Sequence, residues 1–215
     1  MNLQKNLDNV KKNLRGQTLI AATKYVDELI IRELYKAGIN AMGENRVQDF
    51  MRKQDKLLDL PIEWHFIGHL QSNKVKMMIN RIDFLHSLDS LKLANAIQQY
   101  REKSLPCFIE VKLTNEPNKT GVSIEELHQF VLSLAQYDII SVVGLMGMAK
   151  ANGTNEEVEM SFLTLKRLRD EIEQLKLPHA PCHYLSMGMS DDYLKAIECQ
   201  STHLRLGSIL FRNEE

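Results

Sequence analysis

The chain has 215 residues, of which 44% are hydrophobic and 26% charged, and its formal net charge is -1. That balance suits a globular chain able to bury a sizeable core; it argues against disorder and gives no excess positive charge to draw a nucleic acid or an anionic membrane. Three cysteines, Cys107, Cys182 and Cys199, occur without a C-x-x-C pair, so neither a disulfide framework nor a cysteine zinc site is indicated, and the thiols suit a reducing compartment. The start, MNLQKNLDNVKKNL, is polar throughout and no run approaches the ~18 apolar residues of a membrane span, so a cytoplasmic protein is expected.

In chain order, a polar helix over residues 2–14 leads into an alternation of short apolar runs with longer stretches of helical period. The runs are TLIAAT, INAM, EWHFIG, DFLHSL, CFIEVKL, IISVVGLM, CHYLSM and THLRLG. Between them, DELIIRELYKAG starts on Asp27 as an N-cap, stops at Gly38 and carries Ile30, Ile31, Leu34 and Ala37 as its apolar stripe. SIEELHQFVLSLAQY opens with Ser123 and Glu126 in capping-box spacing. The longest helix, over 155–177, places Leu165, Leu168, Ile172 and Leu175 on one side. The runs are too far apart for hairpins, so parallel pairing through helical crossovers is expected. About eight such units in one chain of this length predict a single-domain (β/α)8 barrel over 18–212, preceded by the extra helix of 1–14. A doubly wound open sheet is the alternative that periodicity leaves open.

A barrel builds its site where strands end, at the carboxyl face. The first strand leads to Lys24, the second to GENRVQ, the third to HFIGHLQSNK, the fourth to His86 and Ser87, and the fifth to Lys112. Met146 ends the sixth, SMGMSDD follows the seventh, and Arg205 ends the eighth. Alternation in HLRLG turns Leu204 and Leu206 toward the helices and His203 and Arg205 inward. The same period places Lys24 with Ile20 and Ala22, at the rim of a low-dielectric interior, where burial and a nearby arginine would favour the neutral amine and a Schiff base with a carbonyl compound. The competing readings are a snorkelling lysine or one paired with Glu44 or Glu110, and Lys112 is a rival amine at an equivalent strand end. The Gly-containing turn before Ser190, with Asp191 and Asp192 after it, and the RLGS turn together form the kind of phosphate site that barrels make after strands seven and eight. With a rim lysine, they point to a phosphorylated aldehyde.

AATKY, GENRVQDF, WHFIGHLQSNK, HSLDS, NKTG, GLM, LSMGMSDD and STHLRLG, in this order, resemble the pyridoxal phosphate homeostasis protein family, whose members are barrels of the alanine racemase N-terminal-domain type, pyridoxal phosphate fold type III. The resemblance runs from about Leu19 to Phe211. It implies pyridoxal 5'-phosphate as the cofactor, held as a Schiff base on Lys24, with Asn45 and His65 near its ring and Arg205 facing its pyridine nitrogen. It further implies that Ser186 and Met187, through the SMG backbone, hold the phosphate together with Gly207 and Ser208, and that Ser201 and Thr202 flank that region.

An arginine opposite the pyridine nitrogen can only donate, so the ring nitrogen stays unprotonated and the ring is a poor electron sink. In racemases of this type a second, β domain supplies a tyrosine base, and this chain stops at Glu215, soon after its eighth strand. A carrier of the cofactor in vitamin B6 homeostasis, working as a monomer and supplying apo-enzymes, is therefore expected over a slow amino-acid racemase. The sequence departs from the family pattern at Lys112, where VN is commoner, at Gln200, where glycine is usual, at Leu206, and at its end, which lacks FG. His65 and His69 are spaced as in a helical zinc pair but span a strand end, and no metal site is expected. His86 reads as a satisfied core or rim histidine, and the methionines, Met146 among them, as adaptable packing.

Overall fold

The computed structural model describes residues 2–114 and 120–212. Asn118 and Lys119 of the NKTG motif lie outside the described residues, as do the last three residues of the chain. Eight parallel strands, β1 (Thr18–Ala22), β2 (Ala41–Glu44), β3 (Glu63–Phe66), β4 (Phe84–Leu88), β5 (Leu105–Glu110), β6 (Ile140–Met146), β7 (Tyr184–Ser186) and β8 (His203–Leu206), form a closed barrel in sequence order. Closure is the pairing of β1 with β8, from Thr18 opposite His203 to Ala21 opposite Leu206, and it rules out the open sheet.

Helices α1 (Leu3–Lys11), α2 (Glu28–Lys36), α3 (Val47–Asp55), α4 (Val75–Met78), α5 (Leu91–Tyr100), α6 (Leu127–Ser133), α7 (Asn155–Gln174), α8 (Tyr193–Glu198) and α9 (Ser208–Phe211) accompany the strands. Their ends follow local chemistry. Asp27 Oδ1 accepts from Leu29 N–H and Ile30 N–H, and Gly38 takes φ +82° just past α2. Thr154 and Glu157 make a reciprocal capping box on α7. The Ser123–Glu126 pair forms as expected, but it closes a turn ahead of α6, which starts only at Leu127. Leu175 is the C-cap of α7 and is exposed; Phe162 takes its place on the buried face beside Leu165, Leu168 and Ile172. The polar α1 buries Leu7 and Val10, and Asn6 Nδ2 donates to the carbonyls of Leu210 and Arg212, tying the start of the chain to α9.

The strands have two buried faces. Leu19, Ala21, Met42, Trp64, Phe66, Leu145, Leu185, Leu204 and Leu206 face the helices in one continuous apolar core. Burying a side chain of this size contributes about 1.5–3 kcal/mol, so this layer supplies most of the folding drive. The inward face is different. His65 stacks on Phe84 at 4.6 Å, His86 on Phe108 at 4.3 Å, and the edge of His203 meets the rings of Phe108 and Tyr184 at 5.1 Å. The barrel is filled by alternating aromatic and imidazole rings that lock one another's planes. Gly144 makes room for β7, because a Cβ there would stand 2.2 Å from Tyr184 O and 2.9 Å from the Phe108 ring.

Two predictions follow from this interior. Gly144→Ala forces backbone apart and should lower unfolding free energy by about 2–3 kcal/mol in urea titrations; an unchanged midpoint would contradict the close approach. Burial holds His86 well below the ordinary histidine value of 6.5 and His203 down at about 4. The folded chain therefore binds fewer protons than the unfolded chain in this window, and stability must fall as pH drops below 6.5, by about 1.4 kcal/mol per pH unit for each such histidine. His203→Gln should remove one proton's share of that slope between about pH 6.5 and pH 5, measured by denaturant unfolding at several pH values.

Candidate functional site

The carboxyl ends of the strands gather most of the expected residues. Ile20 of β1 pairs with Arg205 of β8, and the next positions along bring Ala22 beside Gly207, where a Cβ on Gly207 would touch Ala22 O at 3.4 Å. Lys24 follows two residues past the end of β1, so it lies across from the β8 turn. It is not at the rim of the buried interior, as alternation predicted. The strand ends at Ala22, and Lys24 sits in the following turn, exposed, with its Nζ 4.7 Å from the centre of the Tyr25 ring.

The turn itself is anchored from below. Thr23 is fully buried; its Oγ1 donates to Glu44 Oε1 at 2.6 Å, and Lys53 Nζ donates to Thr23 O at 2.7 Å and to Glu44 Oε1 at 2.6 Å. Glu44 is thus Lys53's partner and not that of Lys24, and Glu110 accepts instead from Thr120 Oγ1 at 3.0 Å. Burial raises the Glu110 carboxyl above its ordinary value against the opposing Thr120 bond. Breaking a buried ion pair by removing one partner costs about 3–5 kcal/mol, so the Thr23–Glu44–Lys53 cluster is a rigid base for the lysine turn. Asn45, the next residue in the chain, is half-buried at the end of β2, and its backbone passes so near Gly68 that a Cβ on Gly68 would stand 2.2 Å from Asn45 O.

Arg205 is buried in the barrel, 6% exposed. Its Nη1 donates to Ser186 O at 2.6 Å and to Ser186 Oγ at 2.7 Å, and its Nη2 donates to Gly147 O at 3.2 Å. Burial pulls the guanidinium down to about 10, against Asp192 and Glu110, which favour the charge; it remains cationic at neutral pH. No carboxylate pairs with it among the described residues, so its charge is held by neutral oxygens.

The β7 and β8 turns form a cup of backbone donors. Gly207 N–H and Ile209 N–H both donate to Ser190 Oγ, each at 3.2 Å, and Asp192 Oδ1 accepts from Met189 N–H at 2.6 Å. A cleft of about 800 Å³ opens beside this cup between Met148–Gly153 and Met189–Lys195. Ser208 begins α9 at its edge. Two convergent N–H groups on one oxygen are the donor set a phosphate oxygen takes, and with the adjacent exposed amine and buried guanidinium the residues fit an anionic, phosphorylated aldehyde.

Other expected contacts stand elsewhere. Ser186 is fully buried, its hydroxyl already bound to Arg205 and to His86 Nδ1 at 2.8 Å, inward of the cup. Met187, expected to act through its main chain, has its N–H bonded to His203 O at 3.2 Å, and its side chain is buried in the core. Ser201 and Thr202 precede β8, and because every strand runs the same way they lie at its amino end, about 20 Å of extended chain from Gly207. There Ser201 Oγ donates its one proton to Met187 O at 2.7 Å, with the carbonyls of His203 and Leu185 at 3.2 Å and 3.4 Å, and Thr202 Oγ1 accepts from Leu185 N–H at 2.8 Å. Gln200 belongs to the same end, so its departure from glycine does not touch the cup; its φ of +67° keeps the left-handed turn for which glycine is suited. His65 lies inside the barrel while His69 pairs with Asp89, so the two do not converge, and among the described residues no group of three metal-ligating side chains exists. Lys112 is half-buried past β5 with its N–H bonded to Val122 O. Sequence reasoning missed Ile209, whose contribution is a main-chain N–H, and Lys53, which sits in a charge-rich run that looks solvated.

The alanine racemase N-terminal domain family model matches residues 1–214. A pyridoxal phosphate homeostasis protein of Aquifex aeolicus is 38% identical over 97% of this chain and 92% of its own. The solved structure of PipY of Synechococcus elongatus PCC7942 with PLP bound is 32% identical, covers 98% of this chain and 100% of its own, and superposes with a TM-score of 0.91. Alanine racemase of Corynebacterium glutamicum, at 16% identity, 99% of this chain and 61% of its own, shares the fold with a TM-score of 0.79. A closed barrel with this strand order, matched along its whole length by such relatives, belongs to the pyridoxal phosphate homeostasis protein family, within the alanine racemase N-terminal domain class.

Proposed function

We propose that this protein binds pyridoxal 5'-phosphate at the carboxyl face of its barrel and holds it for intracellular vitamin B6 homeostasis, without strong catalysis of its own. The observation that carries the reading is the grouping of an exposed amine, a buried guanidinium and a two-donor backbone cup around the β1–β8 seam: Lys24, Arg205, and the N–H groups of Gly207 and Ile209. Each meets one part of the cofactor. The Lys24 nitrogen, once it has given up its extra proton, can add to the aldehyde carbon, forming a C=N bond with loss of water. Gly207, Ile209 and the Ser190 and Ser208 hydroxyls can hold the phosphate, and Arg205 can donate to the pyridine nitrogen. Asn45, just past the end of β2, can border the ring, whereas His65 lies inside the barrel on Glu63 and His86 and reaches the site only through them. The relatives named for pyridoxal phosphate homeostasis and PipY with PLP bound support the same assignment.

When bound, the cofactor supplies an electron sink whose strength depends on ring-nitrogen protonation. Arg205 supplies only donors at that position and cannot hand over a proton at neutral pH, so it favours retention over turnover. The exposure of Lys24 suits a cofactor that must leave for a recipient, and hand-over by a monomer to apo-enzymes fits this arrangement.

Purified protein mixed with pyridoxal 5'-phosphate should show a new absorption band near the visible and retain the cofactor through gel filtration. Lys24→Ala should abolish the band and weaken retention at least about tenfold, whereas Lys112→Ala should keep both. Full retention of the band in Lys24→Ala would overturn the assignment of the amine. Alanine racemisation at an ordinary enzymatic rate would overturn the carrier reading.

A further inference from the structure

Inside the barrel, a row of hydrogen bonds runs from its amino end toward the site. Glu63 opens β3 with its side chain about half exposed, in a cleft of about 450 Å³ at the foot of the barrel shared with Lys11, Gln17 and Asn40. Its Oε1 lies 2.8 Å from His65 Nε2; His65 Nδ1 lies 2.9 Å from His86 Nε2; His86 Nδ1 lies 2.8 Å from Ser186 Oγ, which also receives Arg205 Nη1 at 2.7 Å. Phe84 and Phe108 stack on the two imidazoles, so the rings cannot swivel and only the placement of their protons is free.

The two ends dictate that placement. An ionised carboxylate only accepts, so His65 Nε2 carries a proton toward Glu63 and His65 Nδ1 is left to accept. His86 Nε2 then donates, His86 Nδ1 accepts, and the Ser186 hydroxyl donates to it. Arg205 can only donate, and it finds the Ser186 oxygen with its proton already turned away. The opposite order would set an unprotonated His65 Nε2 against a carboxylate at 2.8 Å, two acceptors in contact, or would bury an imidazolium in a barrel that already holds a guanidinium.

We propose that Glu63 is a positioning residue for the site at the far end of the barrel: it fixes a one-way chain, Ser186 to His86 to His65 to Glu63, that turns the Ser186 proton onto His86 and away from the site and leaves the Ser186 oxygen to accept from Arg205 alone, which sets how the guanidinium is presented. With Glu63 removed, His65 can turn its Nδ1 into a donor, the chain reverses, and His86 and Arg205 then both donate to Ser186, whose own proton points into the site. The link from Arg205 to the ligand rests on the cofactor reading above; the chain itself does not.

The test reads the imidazole nitrogens of His65 and His86 by nitrogen-15 NMR in cofactor-free full-length protein at neutral pH, in the parent, Glu63→Leu and Glu63→Gln. In the parent, both rings should show a protonated Nε2 and an unprotonated Nδ1. In Glu63→Leu the His86 Nδ1 resonance should move to the protonated position; Glu63→Gln, which keeps the size and removes the charge, should populate both patterns and serves if the leucine variant does not fold. A parent His86 protonated at Nδ1, or a pattern unchanged in the variants that fold, overturns the proposal. Loaded with pyridoxal 5'-phosphate, the same variants should bind about threefold to tenfold more weakly than the parent, with the bound absorption maximum displaced. If the parent fails to bind the cofactor, the functional reading falls while the tautomer result stands on its own.

Discussion

A guanidinium buried inside a parallel barrel is the constraint from which the rest of this arrangement follows. Arg205 sits on the inward face of β8 with no carboxylate to neutralise it among the described residues, so its charge is held by carbonyl and hydroxyl oxygens, Ser186 O, Ser186 Oγ and Gly147 O. Those oxygens must point inward, which fixes the register of β6, β7 and β8 around them; Met146 pairs with Ser186, and Ser186 with His203. Because Ser186 Oγ is committed to Arg205, it must find its remaining partner within the interior, and His86 provides it. The polar core is thus a consequence of the arginine, enclosed by a layer between strands and helices that is apolar apart from the buried Glu44–Lys53 pair and that carries the stability.

The same constraint separates holding from catalysis. A carboxylate in place of Arg205 could share a proton with a ring nitrogen, whereas a guanidinium pulled only to about 10 by burial cannot release one at neutral pH. Around it, the lysine turn and the cup are built in different ways. Lys24 is exposed to solvent but its turn stands on the Thr23–Glu44–Lys53 cluster, and the cup is main chain, two N–H groups of Gly207 and Ile209 meeting on Ser190. A loose hook over a rigid cradle suits reversible retention of a small anion.

The sequence made the architecture legible where one physical signal acted alone. Alternation in HLRL turns Leu204 and Leu206 outward and His203 and Arg205 inward, and the structure agrees. Asp27 and Gly38 mark the ends of α2 through local hydrogen bonding and backbone conformation, which depend on few residues. The site was legible in part. Periodicity carried two residues too far turned Lys24 into a strand residue, when β1 had ended at Ala22. The family resemblance placed Ser201 and Thr202 beside the Gly207 region, although the whole of β8 lies between them. His86 read as a satisfied core or rim histidine and is one, but its partners were not legible, because they come from strands up to 100 residues away. Lys53 looked solvated within a charged run, and only the fold turns it inward to Glu44.

The central claim is that one amine at the β1 turn, Lys24, holds a phosphorylated aldehyde across from Arg205. Reduction of the cofactor-loaded protein with borohydride, followed by peptide mass mapping, reads that bond directly. The account predicts a single modified peptide with the added pyridoxyl phosphate mass on Lys24; modification on Lys112 instead, or spread over surface lysines with Lys24 unmodified, would contradict it.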